Sequence, residues 1–267
     1  MATTSANDKE APVIRMLRGV RRRLLTENRF THYLGYATGE IVLVVIGILI
    51  ALQINNWNDA RKERARELEY LHNIREDVSS NIAQLGVYLN TRSAGIAAAQ
   101  RILTHFNGTP VENASAFNAD SISIYNWKRF YLADNTYQEL LGSGNFALLS
   151  NPKIKDGLLD IEAMYRKLKG EEDHFRFDSE TLLYKPLYVT TDVDPMMQDY
   201  SFKMSHGQEG RANALRPENF TPLLRNLEAK NGFWMAILEF STMNEQMTAM
   251  RDRSRALLTE IDAEIKR

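Results

Sequence analysis

Residues Ile41 to Leu52 read IVLVVIGILIAL, twelve consecutive positions that are apolar or glycine. Twelve is short of a bilayer span, which takes about 20 residues at about 1.5 Å each. The flanks lengthen the run. From Tyr36 to Asn55 only Glu40, Gln53 and Asn55 are strongly polar. Tyr33 and Tyr36 stand at one end and Trp57 at the other, as interfacial aromatics do. A buried core helix can carry such a run. A cleaved signal peptide can too, but the arm before it is too long and no clear small-x-small site follows. We read residues 35–56 as one uncleaved transmembrane helix.

Working outward, the arm before the span is basic. Residues 1–32 carry a net +4 and the rest of the chain −5, although the whole chain, with 33 basic and 34 acidic residues, is nearly neutral. That balance excludes a polybasic nucleic-acid binder. Six Lys and Arg fall in 15–29 and four in 58–72. The bias favours residues 1–34 as a cytoplasmic arm and 57–267 as the translocated part. Arg21, Arg22 and Arg23 are then expected on anionic headgroups, each contributing about 1 kcal/mol. There is no cysteine, which excludes disulfides, thiolate metal sites and cysteine nucleophiles.

The span has a face. Gly35, Gly39, Gly47 and Ala51 recur at steps of four, with Leu43 in the gap. Small residues on one stripe let a second helix approach closely. Glu40 sits one turn inside the edge. It either snorkels toward the headgroups or makes a charged hydrogen bond to a partner helix. A proton relay would need further intramembrane groups, and no histidine stands in mid-span for a haem or metal.

Gly39 to Asn58 reads GEIVLVVIGILIALQINNWN, preceded by Leu24-Leu25-Thr26-Glu27-Asn28-Arg29-Phe30; far downstream Asn135 to Asn151 reads NTYQELLGSGNFALLSN. This resembles a bacterial family of single-pass membrane proteins known only as a domain of unknown function. The resemblance implies a Gram-negative inner membrane and a helical extracytoplasmic part. It implies no reaction, cofactor or catalytic residue.

Beyond the span the periodicity is helical. Leu68, Leu71, Ile74, Val78, Ile82, Leu85, Leu89 and Ile96 form one stripe that continues the membrane helix outward, and Asn107-Gly108-Thr109-Pro110 ends it. Residues 107–121 read as a loop. Ile122 to Ala133 is ambiguous between strand and helix. Tyr137 to Leu141 is helical, closed by Gly142. Asn151-Pro152 is a helix start, followed by Ile154, Leu158, Ile161, Tyr165 and Leu168. Residues 186–220 lack a period, carry three prolines and two glycines, and are expected as a long irregular loop that contacts partners. A short helix from Thr221 is expected to end at Asn231-Gly232. A last stripe runs from Phe233 through Ile237, Phe240, Met243, Met247, Met250, Leu257 and Ile261 to Ile265. The fold class is therefore all-α: one N-terminal transmembrane helix continuing into an extracytoplasmic helical bundle.

Chemistry is sparse. The five histidines show no HExxH spacing. Glu171 and His174 stand at i, i+3 and could offer two metal ligands; the plainer reading of Glu171-Glu172-Asp173-His174 is a solvated turn. Asp192, Asp194 and Asp199 lack the glycine and closing glutamate of a calcium loop. Met243, Met247 and Met250 could take Cu(I) but read as core. Gly142-Ser143-Gly144 lacks a phosphate-loop lysine. Trp127 to Tyr131 mixes aromatic and basic residues and reads as a packed edge rather than a polymer site. With no convergent nucleophile, base and oxyanion donor, no catalytic residue, metal or cofactor is assigned. The expectation is a non-enzymatic accessory subunit, bound through its membrane helix and outer domain to other membrane-protein subunits, to a second copy, or both. Energy-transducing complexes, photosynthetic or respiratory, are candidate hosts that no residue selects. The alternative is a periplasmic ligand-binding or sensor module; about thirty cytoplasmic residues leave it no output domain of its own, so it would signal through a partner.

Overall fold

A computed structural model describes residues 29–267, together with Met16 and Gly19. Arg21, Arg22 and Arg23, and with them most of the basic arm, lie outside the described residues. Among the described residues every regular element is helical and no strand occurs. The chain divides into two compact units, 1–64 and 65–267. Helix α1, Arg29–Phe106, contributes to both.

In the first unit, the part of α1 that carries the apolar run is long and apolar enough to cross a membrane. No described side chain between 32 and 64 is buried. Ile41, Leu43, Leu49 and Ile54 are each more than half exposed. A buried core helix would show the opposite, so that reading of the run is overturned.

The second unit holds one hydrophobic core. Three long helices supply most of it: the later part of α1, α4 (Pro152–Asp178) and α8 (Leu227–Ile265). Shorter helices fill between them: α2 (Ala114–Tyr125), α3 (Asn135–Gly142), α5 (Lys185–Thr190), α6 (Val193–Met204) and α7 (Thr221–Leu224). The three expected stripes all face inward. Leu71, Ile74 and Leu85 of α1, Ile154 and Leu168 of α4, and Phe233, Met243, Met250 and Leu257 of α8 are all buried. The three methionines pack as core.

Short polar side chains start four of these helices. Asn113, Asn151, Asp192 and Asn226 each accept a hydrogen bond from a backbone N–H two or three residues on, one of the orphan donors of a first turn. Asn113 explains one correction. Residues 107–121 are not all loop, because α2 begins at Ala114 behind that cap.

The expected irregular loop at 186–220 is largely helical. It contains most of α5, all of α6 and a 3-10 turn at Pro217–Phe220. The prolines misled: Pro195 lies in the first turn of α6, where no backbone N–H is needed, and Pro186 follows a π turn in a helix that runs on through it. What stays irregular is 205–216, and there glycine is required. Gly210 has φ +75°, and a Cβ on it would come within 2.2 Å of the Gln198 carbonyl oxygen.

Between α4 and α5 the helix widens into a π turn, Ser179–Tyr184, in which the Lys185 N–H reaches back five residues to the Glu180 carbonyl. Pro186 has no N–H to give the Leu182 carbonyl four residues back. Gly232 of α8 lies against that carbonyl, and a Cβ there would sit 2.6 Å from its oxygen. Asn231-Gly232 is therefore no helix end. The glycine is inside α8 because a second backbone passes too close for a side chain.

Candidate functional site

The sequence places its site on the exposed face of α1. A Cβ at Gly35, Gly39 or Gly47 would meet nothing within 4 Å, and Ala51 is exposed. Gly35, Tyr36, Gly39, Glu40 and Leu43 line one open trough on the helix together with His32, so the carboxylate and the glycines share a side. The His32 and Tyr36 rings stack at 6.3 Å. Tyr33, Tyr36 and Trp57 point outward and are 76%, 78% and 64% exposed. Among the described residues no side chain covers this face.

In the second unit the polar chemistry centres on a segment that sequence periodicity left ambiguous. Residues 126–134 are neither strand nor helix but an irregular run. Such a backbone needs partners for its N–H and C=O groups, and side chains of two long helices provide them. The Tyr88 hydroxyl donates to the Arg129 carbonyl at 2.7 Å. Asn81 both donates to and accepts from Ala133 at 2.8 Å. Arg92 donates to the Lys128 carbonyl at 3.3 Å, and the Phe130 N–H donates to Glu172 Oε1 at 2.8 Å. Trp127 and Phe130 turn into the core against Phe175 and Tyr88. The mixed aromatic and basic run is thus a packed edge.

Arg92 and Glu172 are the hub. Both are buried, and Arg92 Nη2 lies 2.6 Å from Glu172 Oε1. Arg92 also donates to the Met247 sulfur at 3.3 Å, and Lys169 Nζ sits 3.1 Å from the other Glu172 oxygen. Burial lowers the Arg92 pKa and the contact with Glu172 partly restores it. The carboxylate is met by two cations and one backbone N–H, so it is fully compensated.

The run Glu171 to His174 is therefore not one solvated turn. Glu171 accepts from Gln246 at 3.1 Å. Glu172 enters the core. Asp173 pairs with Arg129, whose guanidinium holds its carboxyl below the usual range. His174 points to Glu239 of α8, with Nδ1 3.5 Å from Oε1. One turn on, Asp178 joins them; ligand-type atoms of His174, Asp178 and Glu239 all lie within 4.8 Å of one another. Spacing singled out Glu171 and His174, and of these only His174 belongs to this group. Asp178, one turn on, was open to the same reading and went unread, whereas Glu239 emerges only when α4 packs on α8.

The three aspartates have separate tasks. Asp192 caps α6, Asp194 pairs with Arg211, and Asp199 accepts from Asn118 and Ser115. Gly142-Ser143-Gly144 closes α3, with Gly144 left-handed at φ +73°. A separate apolar cleft of 360 Å³ is lined by aromatic and thioether side chains, among them Tyr125, Tyr184, Tyr188 and Met197. The Tyr125 hydroxyl is buried without a hydrogen-bond partner.

Comparison with known proteins meets the chain at its first hallmark. Residues 40–109 match DUF6090, a family of unknown function. The match takes in the apolar run and continues to the turn after Phe106. The second run that suggested the resemblance, Asn135 to Asn151, lies outside it. No curated protein and no solved structure matches the chain.

Proposed function

We propose that this chain is a single-pass protein of a bacterial inner membrane that acts as a non-enzymatic accessory subunit. In this reading α1 crosses the bilayer at about residues 35–56, the basic arm is cytoplasmic, and residues 57–267 are a periplasmic helical domain. The observation that carries it is the apolar part of α1, whose side chains are uncovered along its whole length. Water would not tolerate that surface, whereas a bilayer and a partner helix would both cover it. The trough of Gly35, Gly39 and Glu40 gives a partner helix a place of close approach.

The test is extraction of tagged full-length protein in mild detergent, followed by sizing and identification of what accompanies it. A defined larger complex supports the accessory reading, and a lone monomer opposes it. Energy-transducing complexes are the hosts to look for first. Orientation is separately accessible because the chain has no cysteine. Ser5→Cys and Lys266→Cys each introduce one unique thiol. An impermeant maleimide applied to intact spheroplasts is expected to label the second and spare the first.

One observation favours a second reading. The aromatic cleft suits a small, mostly apolar ligand, as a ligand-binding or sensor module signalling through a partner would have. A lone protein that gains thermal stability from such compounds would move the assignment there.

A further inference from the structure

We propose that His174, Asp178 and Glu239 form a binding site for a divalent first-row transition-metal ion of the zinc type, set between α4 and α8. His174 and Asp178 are four residues apart and so share a face of α4. Glu239 faces them from α8, which packs along α4. Two helices of one core thus hold the three side chains.

The observation that asks for a cation is Glu239 itself. The residue is 5% exposed, and both carboxylate oxygens are buried with no hydrogen-bond partner. An ionised carboxylate so placed is costly by several kcal/mol unless something compensates it. Glu172, two turns from Asp178 on the same helix, shows what compensation looks like in this chain: Arg92, Lys169 and a backbone N–H. Glu239 has no such set. The groups turned toward it are Asp178, Glu171 and the imidazole of His174. The site therefore holds either a proton or a positive ion.

The donor set selects the kind of ion. One imidazole nitrogen with two carboxylates suits zinc and its neighbours; calcium and magnesium prefer oxygen alone. Zinc takes these ligands at about 2.0–2.2 Å, so tetrahedral ligand atoms stand roughly 3.4 Å apart. His174 and Glu239 are already at 3.5 Å. The spread of 4.8 Å over all three closes by rotation of one carboxylate. Burial falls from Glu239 through Asp178 to His174, whose side chain is 60% exposed. The ion can enter from the His174 side, where water completes the shell. Glu171, held by Gln246, adds a nearby negative charge without entering the coordination.

The experiment uses full-length protein in detergent, purified with a tag free of histidine and stripped with chelator. Cobalt(II) is titrated in while visible absorption is followed, and zinc(II) binding is measured by calorimetry. One equivalent of cobalt with intense tetrahedral bands, displaced by zinc, is expected. His174→Ala and Glu239→Gln should each weaken zinc binding by at least about tenfold. Glu171→Gln should leave the cobalt spectrum in place. His174 is a surface side chain, so its variant keeps the fold. Two results overturn the site: stripped wild-type protein that takes up neither ion, or zinc binding that both His174→Ala and Glu239→Gln leave unchanged. In either case Glu239 carries a proton shared with Asp178 and nothing more.

Discussion

Arg92 and Glu172 show how much one residue pair decides in this molecule. Each is buried, and each is the other's main charge partner. Removing one charge leaves the other uncompensated in the core, which typically costs about 3–5 kcal/mol. Glu172→Gln is therefore expected to destabilise the helical domain by that amount in urea titrations. The double variant Arg92→Met, Glu172→Met should recover much of the loss, because no buried charge remains. A Glu172→Gln loss below about 1 kcal/mol would mean that water reaches the pair. None of this was legible in the residues alone. Glu172 stands in an acidic run that reads as surface, and its partner is 80 positions upstream. The buried stripes were legible, since Leu71, Ile74, Ile154 and Phe233 announce themselves by spacing. A polar residue in a core has no periodic signal; only the packing of its helix says which way it faces.

At the scale of single helices, some stop signals held and others did not: α1 ends just before Asn107-Gly108-Thr109-Pro110 and α3 at Gly142. Asn151-Pro152 opens α4 as its chemistry requires. Pro186 and Asn231-Gly232 both read as stops, and neither is one. A proline behind a π turn and a glycine under a crossing backbone have the same letters as a break, and only the surrounding structure distinguishes them. The short helices α5 and α6 went unread for a related reason: six and twelve residues, each with an early proline, leave too few turns for a stripe to declare itself. Within α1 the stripe of small residues makes a prediction of its own. Gly39→Leu with Gly47→Leu adds bulk where nothing now stands within 4 Å. The change leaves the helix itself apolar and intact. It should reduce what co-purifies with the protein in mild detergent, or its self-association if that is the contact. Unchanged co-purification would move the contact off this face.

For the whole molecule, the division at residue 64 has an experimental meaning. Every buried core residue lies at position 68 or later, or packs with those that do. Residues 65–267 alone are expected to be soluble, helical by circular dichroism and cooperative in melting. A largely unfolded spectrum would show that this core needs the first unit. The π turn bears on the whole chain in a different way. It is one residue more than an α-helix of the same span would use. It is therefore the place where the sequence can be shortened without changing which side of the helix its neighbours occupy. Deleting Thr181 lets the turn relax to ordinary α geometry, with His174 and Leu187 keeping their faces. Deleting Lys167, inside α4, instead swings everything before it by about 100°. Ile154, Leu158 and Ile161 would then leave the core. A domain that survives the first deletion and unfolds with the second would mark Ser179–Tyr184 as a spare residue in the chain's length, an allowance that relatives of different length could use.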